Sequence, residues 1–398
     1  MKMIKPYTLL PLLLLSTYTM AETQITVKAA IENRSFLQSA QYQGQHDNQL
    51  SAFIEPEIYY SWNEEQDSIT FKPFYRWDDK DDERSHGDIR ELMWLHVGNE
   101  WELRTGIGIV FWGQAESQHL VDVINQTDLV EALDGEDKMG QPMINLTLVK
   151  DWGNLDLFVL PGFRERTFAG LDGRLRPELE IKQSKALYES SNENHHLDYA
   201  FRWSHTLSDW DVGLSYFNGT SRDPSFVANQ DGQTISLSPY YAQMEQVGVD
   251  LLLVYDEWLY KFEGIYRDLN NQNAYIATVA GFEYTNVGVF ESVWDIGWLL
   301  EYQYDNNDVI KQNDEHNALM LGTRIALNDV DGTEILLGYV LDLDDSDTQT
   351  SFIEASSRIN DNWKWRLDAW FISSETPSNN LYSVKQDDYV QASLEYYF

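Results

Sequence analysis

The chain has 398 residues, with 65 acidic against 28 basic side chains, a formal charge of −37 and no cysteine. That charge repels a phosphate backbone and excludes nucleic acid as a partner; the missing cysteines exclude a disulfide framework and a lipid-anchored lipoprotein. Its 14 Trp, 23 Tyr and 17 Phe are too many for an ordinary soluble domain and suit a wall with aromatic belts at two lipid–water boundaries.

Lys2 and Lys5 precede the apolar run Leu9 to Leu15, and Thr19-Met20-Ala21 offers small residues to a signal peptidase. Residues 1–21 are therefore expected to be a cleaved export signal and 22–398 one domain. The run is too short to span a bilayer, and nothing after Glu22 forms an apolar helix of that length.

A period of two begins at once, with Ile25, Val27, Ala29 and Ile31 against Thr26, Lys28, Ala30 and Glu32. It returns in Leu50 to Trp62, Ile69 to Trp77, Trp101 to Phe111, Val247 to Tyr255, Trp258 to Tyr266, Ile296 to Tyr304 and Trp363 to Phe371. It closes the chain as Val390, Ala392, Leu394 and Tyr396 before the terminal Phe398. Aromatic residues gather near the ends of these apolar faces, where a membrane boundary would lie.

The links alternate in length. Short ones fall at Asn63 to Asp67, Gly98 to Glu100, Trp152-Gly153, Ser208-Asp209, Asp256-Glu257, Asn328 to Gly332 and Asn360 to Asn362. Long ones fall between them, at Phe36 to Asn48, Asp78 to Gly87, Trp112 to Pro142, Pro161 to His195, Asn218 to Gln243, Asp305 to His316 and Ser374 to Asp387. That parity belongs to an antiparallel up-and-down meander, and in lipid an open edge would leave backbone groups unpaired, so the sheet must close. The expectation is an all-β transmembrane barrel of about eighteen strands, with sixteen as the runner-up. Two segments blur the count: Asp88 to Val97 is apolar on both faces, and Asn286 to Trp294 reads as a turn or as part of a strand.

Eighteen strands enclose a backbone radius of about 18 Å, too wide for side chains to fill, so long extracellular loops are expected to fold into the lumen. Residues 112–142 carry Leu120, Val121, Val123, Ile124, Leu129, Val130 and Leu133 at spacings that allow a short amphipathic helix. Residues 161–195 concentrate Arg164, Arg166, Arg174 and Arg176, and Glu116, Asp122, Asp128, Glu131, Asp134, Glu136 and Asp137 supply opposite charge. Facing each other across a constriction, they would set up a transverse field that orders polar solutes; packed together, they would only hold loop to wall.

Glu116 and His119 are spaced for one helical face, and His195 and His196 are adjacent, but no third metal ligand is fixed by spacing, so no metal or other cofactor is expected. The acidic runs Asp78 to Glu83 and Asp342 to Asp347 read as solvated loop charge, with divalent-ion bridging to lipopolysaccharide as the alternative. No Gly-x-Ser-x-Gly is present, and His205 shares parity with Tyr199, Phe201 and Trp203, an interfacial position rather than a catalytic one. An enzyme is not expected.

The signal, the strands running to the last residue and the terminal Phe398 resemble Gram-negative outer-membrane porins and porin-like channels. In such barrels the last strand, here with Tyr396 and Phe398, is the signal read by the barrel-assembly machinery. Phe111 to Met143, Phe158 to Phe168 and Tyr240 to Asp250 also resemble segments of a family of outer-membrane barrels from marine gammaproteobacteria. The resemblance implies an outer-membrane location, lipid and lipopolysaccharide as neighbours, a small hydrophilic solute as cargo, and leaves homo-oligomerisation open. A non-conducting barrel, acting as adhesin, scaffold or envelope-complex component, is the alternative function, and a membrane-embedded hydrolase the third.

Overall fold

Lipid on one side of a wall and water on the other force neighbouring residues to opposite solvents, and the strands obey that demand residue by residue. Ile25 and Ile31 are 63% and 62% exposed on the outer surface, while Ala30 and Glu32 are buried on the inner one. Leu50, Ile54, Ile58 and Tyr60 point out, and Ser51 and Phe53 point in. The computed structural model describes residues 22–232, 234–270, 272–307 and 317–398. The expected export signal and most of the link Asp305 to His316 lie outside them.

The strands are β1 (Glu22–Phe36), β2 (Asn48–Trp62), β3 (Asp67–Asp78), β4 (Gly87–Val97), β5 (Trp101–Gly108), β6 (Gln141–Lys150) and β7 (Gly153–Pro161). Next come β8 (Leu187–Tyr188), β9 (Leu197–Leu207), β10 (Trp210–Thr220), β11 (Ser225–Asp231), β12 (Thr234–Tyr241), β13 (Gln243–Tyr255) and β14 (Trp258–Leu269). The chain ends with β15 (Tyr275–Asn286), β16 (Asp295–Asp305), β17 (Asn317–Ala326), β18 (Glu334–Asp342), β19 (Gln349–Arg358), β20 (Trp363–Ser373) and β21 (Tyr389–Tyr397).

Eighteen of these form one antiparallel sheet, and β8, β11 and β12 form a separate three-stranded sheet in the long links. The large sheet closes where β1 pairs with β21, from Lys28 opposite Tyr397 to Phe36 opposite Tyr389. Closure leaves no edge unpaired, as a lipid environment requires. Among the described residues no helix is long and apolar enough to cross a membrane. The crossing is made by strands.

Both blurred segments resolve. Lys72 of β3 faces Glu91 of β4 while the next residue, Pro73, faces Ile89, so Arg90 is an extra residue on β4. Pro73 has no N–H for the ladder, and a bulge accommodates it. The inner face therefore shifts by one there, which is why Asp88 to Val97 reads as apolar on both sides. Residues 287–294 are a turn, one longer than the other turns at that end.

The short–long parity breaks twice, at the five-residue link 270–274 and the six-residue link 343–348, both joining strands at the long-loop end. Strand β5 is also shorter than expected. Alternation continues through Ile109 and Phe111, but after Gly108 the Val110 N–H donates to Asn125 Oδ1 at 2.9 Å, and the chain leaves the sheet. Gly106, at φ 145°, lets β5 press on β4, since a Cβ there would run into the Leu92 carbonyl.

Trp–Tyr contacts collect beside the short turns: Tyr60 with Trp62 at 5.5 Å, Trp258 with Tyr284 at 4.6 Å and Trp363 with Tyr396 at 4.6 Å. This is the belt that rings with one polar end form at a membrane surface. Phe398 extends it, 67% exposed with its ring 4.5 Å from Tyr396.

Candidate pore constriction

Segment 109–140 is the one on which the inner wall converges. Asn125 closes its base: Nδ2 donates to the carbonyls of Gly108 at 2.9 Å and Met139 at 2.8 Å while Oδ1 accepts from Val110. Val121, Val123 and Ile124 are at most 1% exposed and pack with Met143, Phe158, Phe217, Met244 and Ile265, an apolar stretch of the wall. These residues found the dry surface that their composition demanded, but not as a helix. The segment has turns and bends throughout.

The missing helical bonds are replaced from the opposite wall. Glu263 of β14 accepts the N–H groups of Gln114 (2.6 Å), Ala115 (2.9 Å) and Val121 (3.2 Å). Glu301 of β16 accepts those of Glu116 (2.9 Å) and Ser117 (2.8 Å), together with the Ser117 hydroxyl at 2.6 Å. Both glutamates are at most 1% exposed. Carboxylates that each take three donors hold a turn as firmly as an intrahelical ladder would.

Glu116 reaches Arg324 at 2.7 Å and Lys261 at 3.8 Å, and His119 pairs instead with Glu136, so the two side chains turn to different partners. Asp122 lies 3.3 Å from Lys138, and burial pushes its carboxyl above the ordinary value. His196 bonds Asp198 at 2.7 Å.

Asp128 and Glu131 meet a different set of cations from the one expected. Arg76 donates to Glu131 at 2.7 Å and also bonds Glu32, Arg90 donates to Asp128 at 2.7 Å, Arg84 to the Val130 carbonyl at 2.9 Å, and Arg34 to the Glu131 carbonyl at 3.0 Å. Arg34, Arg76 and Arg90 sit on the inner faces of β1, β3 and β4; Arg84 is in the link between β3 and β4. The sequence signal for the strand arginines was parity alone. His86, Asp128 and Glu131 place possible ligand atoms within 4.8 Å of one another, but Arg76 and Arg90 already neutralise both carboxylates.

His86 Nε2 lies 2.9 Å from Asp128 Oδ2. Burial pulls the imidazole pKa down, but the Asp128 hydrogen bond and charge outweigh it and raise it. Burial likewise pushes Asp128 up, and His86 and Arg90 hold it well below its ordinary value. The His86 contribution is therefore complete below the unfolded imidazole value of about 6.5 and fades as pH rises through the higher folded value. The Asp128 contribution is present at neutral pH and fades only as pH falls through its depressed value. Unfolding temperature in detergent should fall as pH rises above about 6.5, and His86→Gln should flatten that fall; an identical slope in the variant would remove His86 from the account.

The four arginines of the second link divide into two pairs. Arg164 donates to the Gly140 carbonyl at 2.9 Å and Asp88 at 2.8 Å, and Arg166 to Gln126 at 3.1 Å and Asp223 at 2.7 Å, joining three links. Arg174, fully buried, bonds Asp387 at 2.6 Å and Asp47 at 3.1 Å and lies 4.4 Å from the Phe36 ring. Arg176 donates to the carbonyls of Leu171 (2.9 Å), Pro177 (2.9 Å) and Glu178 (3.1 Å). Arg174 thus fastens three links to one another at the long-loop end, while Arg176 braces its own link and meets another through the Tyr42 ring, 4.9 Å away.

The acidic runs are turn caps more than solvated charge. Asp78 Oδ1 accepts from Lys80 N (2.9 Å) and Asp81 N (3.0 Å), and Asp342 Oδ1 from Asp344 N (2.8 Å) and Asp345 N (2.9 Å).

Between segment 109–140 and the wall lie cavities of about 560, 140 and 170 Å³. Glu116, Asp122 and Arg166 line the largest and Glu131 the 170 Å³ one. Glu354 is common to the two cavities of 560 and 140 Å³, and Arg366 and Asp368 to those of 140 and 170 Å³. Arg324, Glu354, Arg366 and Asp368 were not singled out as site residues by the sequence reading, although Arg366 and Asp368 stood at inward parity.

No protein-family profile and no curated protein matches the sequence. Solved structures do. OpdQ of Pseudomonas aeruginosa is 12% identical over 95% of this chain and 98% of its own, with a TM-score of 0.54. OmpT, an outer-membrane protein of Vibrio cholerae in its trimer form, is 9% identical over 95% and 99%, at 0.48. A variant of Rh. blastica porin is 12% identical over 95% and 100%, at 0.46. Fold is what the OpdQ match carries, and with the closed sheet and its apolar outer face it leads to one statement: by fold the chain is a porin-like β-barrel of the outer-membrane kind.

Proposed function

We propose that the barrel is a channel for passive diffusion of small hydrophilic solutes, narrowed where segment 109–140 folds into the lumen and stands opposite β16 to β20. The observation that carries this reading is the run of neighbouring cavities lined by charges of both signs, with Glu116, Glu354 and Asp368 near Arg324 and Arg366. Opposed charges at a water-filled neck order a polar solute and repel an apolar one. Glu116, Asp122 and Arg166 belong to this neck in the proposal. Asp128, Glu131, Arg164, Arg174 and Arg176 act as anchors that keep the surrounding links in place.

The test is single-channel recording in a planar bilayer. Stable conductance steps are expected, and replacing Arg324 and Arg366 together by alanine should move the reversal potential in a potassium chloride gradient towards the cation limit, because Glu116, Glu354 and Asp368 remain. An unmoved reversal potential would refute the assignment of the neck. The second reading, a non-conducting barrel, is favoured by the depth of the ion pairing across the outer links, such as Arg174 with Asp387. Absence of any conductance step would favour it.

The rest of the proposal concerns surroundings. The exposed Phe398 ring against Tyr396 supports recognition by the barrel-assembly machinery, and lipid and lipopolysaccharide would cover the outer face. Kinship with marine gammaproteobacterial barrels rests on three segments, Phe111 to Met143, Phe158 to Phe168 and Tyr240 to Asp250, which cover most of the link 109–140, the end of β7 and the β12–β13 junction. Catalysis has no part in the reading; His205 packs on Trp203 at 6.0 Å in the outer aromatic belt.

A further inference from the structure

The inner wall of the lumen carries an aromatic pair in a place where water and charge are the rule. Phe352 of β19 and Trp370 of β20 are cross-strand partners on the inner face, stacked with centroids 5.0 Å apart and planes at 21°. Both line the 560 Å³ cavity and both are half-buried. Their neighbours on the same face are another cross-strand pair, Glu354 opposite Asp368. Like charges directly opposite repel each other. Asp368 has Arg366 at 3.7 Å, but among the described residues no cation lies within ion-pair distance of Glu354.

A second observation stands apart from the acidic pair. The cavity's own arginines are already matched: Arg166 with Asp223 at 2.7 Å, Arg267 with Asp223 at 2.9 Å, and Arg222 with Asp198 at 2.8 Å. The charge left unmatched is negative.

We propose that this cavity, where it meets the 140 Å³ one at Glu354, binds small organic cations with an apolar body, a protonated amine facing Glu354 and its cross-strand neighbour Asp368 while an aromatic or aliphatic portion lies on Phe352 and Trp370. The proposal deepens the channel reading and rests on it for transport, but binding itself does not require conduction. An aromatic face attracts a cation, and Glu354 gains the counter-charge that it lacks. A carboxylate solute of the same size meets repulsion instead. Potassium or ammonium satisfies the acids but leaves the rings uncovered.

Calorimetric titration of the full barrel in detergent tests this with phenethylammonium, phenylacetate and ammonium chloride. Phenethylammonium should bind about tenfold more tightly than either of the others. Glu354→Gln and Trp370→Leu should each weaken it by about tenfold, with Phe352→Leu as the substitute if Trp370→Leu does not fold. Equal binding of phenylacetate, equal binding of ammonium, or unchanged affinity in the folded variants would each overturn the proposal. In a planar bilayer the same cation should interrupt the potassium current. Selective binding in detergent without any current upholds the site and overturns the channel reading instead; current without selective binding does the reverse.

Discussion

In the proposed channel, replacing Glu263 and Glu301 together by alanine is expected to turn a steady open level into one broken by frequent closures. These carboxylates take five backbone N–H groups and one hydroxyl from residues 114–121. Each orphaned donor costs about 1–3 kcal/mol if it stays buried, so the cheaper course is for the tip to leave the wall and bond lumen water. What remains is too little to hold it. The Glu116–Arg324 pair is partly exposed, with the arginine side chain at 37%, and such pairs contribute at most about 1 kcal/mol. The base of the segment stays, because Val121, Val123 and Ile124 are buried against the wall and Asn125 closes the root. In the proposed neck a tethered, mobile tip would produce intermittent block, and with it a new protease site between residues 113 and 119. The Gln versions keep one acceptor oxygen each and should fall between. A trace as quiet as that of the wild type, with unchanged protease resistance, would show that the two glutamates do not hold the tip.

The wall was legible because lipid leaves the chain little choice. Each outward position must be apolar and each hairpin must alternate its ends, so Ile25, Leu50 and Leu394 announce their side from parity alone. Departures from the expected wall have local causes: Pro73 and the bulge at Arg90, or Asn125 capturing Val110 where Ile109 and Phe111 still keep the beat. The anchors were far less legible. An inward carboxylate on a strand looks the same whether it faces water or an amide, and Glu301 meets Ser117 across a separation of 184 residues. The arginines between Arg164 and Arg176 stood out by concentration, yet concentration gives no direction. Arg76 and Arg90 are scattered along single strands, and only closure of the sheet gathers them around Asp128 and Glu131. The aromatic pair at Phe352 and Trp370 was hidden for a related reason: a Phe or Trp at inward parity reads as an exception to the pattern until a cavity is found beside it.

Arg76→Ala should cost the folded barrel about 3–5 kcal/mol, the penalty of leaving buried carboxylates without their counter-charge. Arg76 is 3% exposed and bonds Glu32 and Glu131, themselves 6% and 7% exposed, with its guanidinium 4.9 Å from the Phe53 ring. Arg84 can take over only in part: its Nε and Nη1 are held by the Val130 carbonyl, Ser51 and Asp78, and its Nη2, 3.5 Å from Glu32, serves that carboxylate with no ion pair to Glu131 among the described residues. The measurement is the temperature at which the folded form is lost on a detergent gel, and it should drop markedly. The informative comparison is the triple change Arg76→Met, Glu32→Gln, Glu131→Gln, which removes the charges together. Because the desolvation of a buried ion pair consumes much of its attraction, that variant should recover most of the loss. If Arg76→Ala alone melts like the wild type, water from the lumen screens the cluster and the anchoring of segment 109–140 at this wall lies with Asp128 and its partners. If the triple variant is as weak as the single one, the guanidinium acts through its contacts with Phe53 and Phe74 rather than through charge.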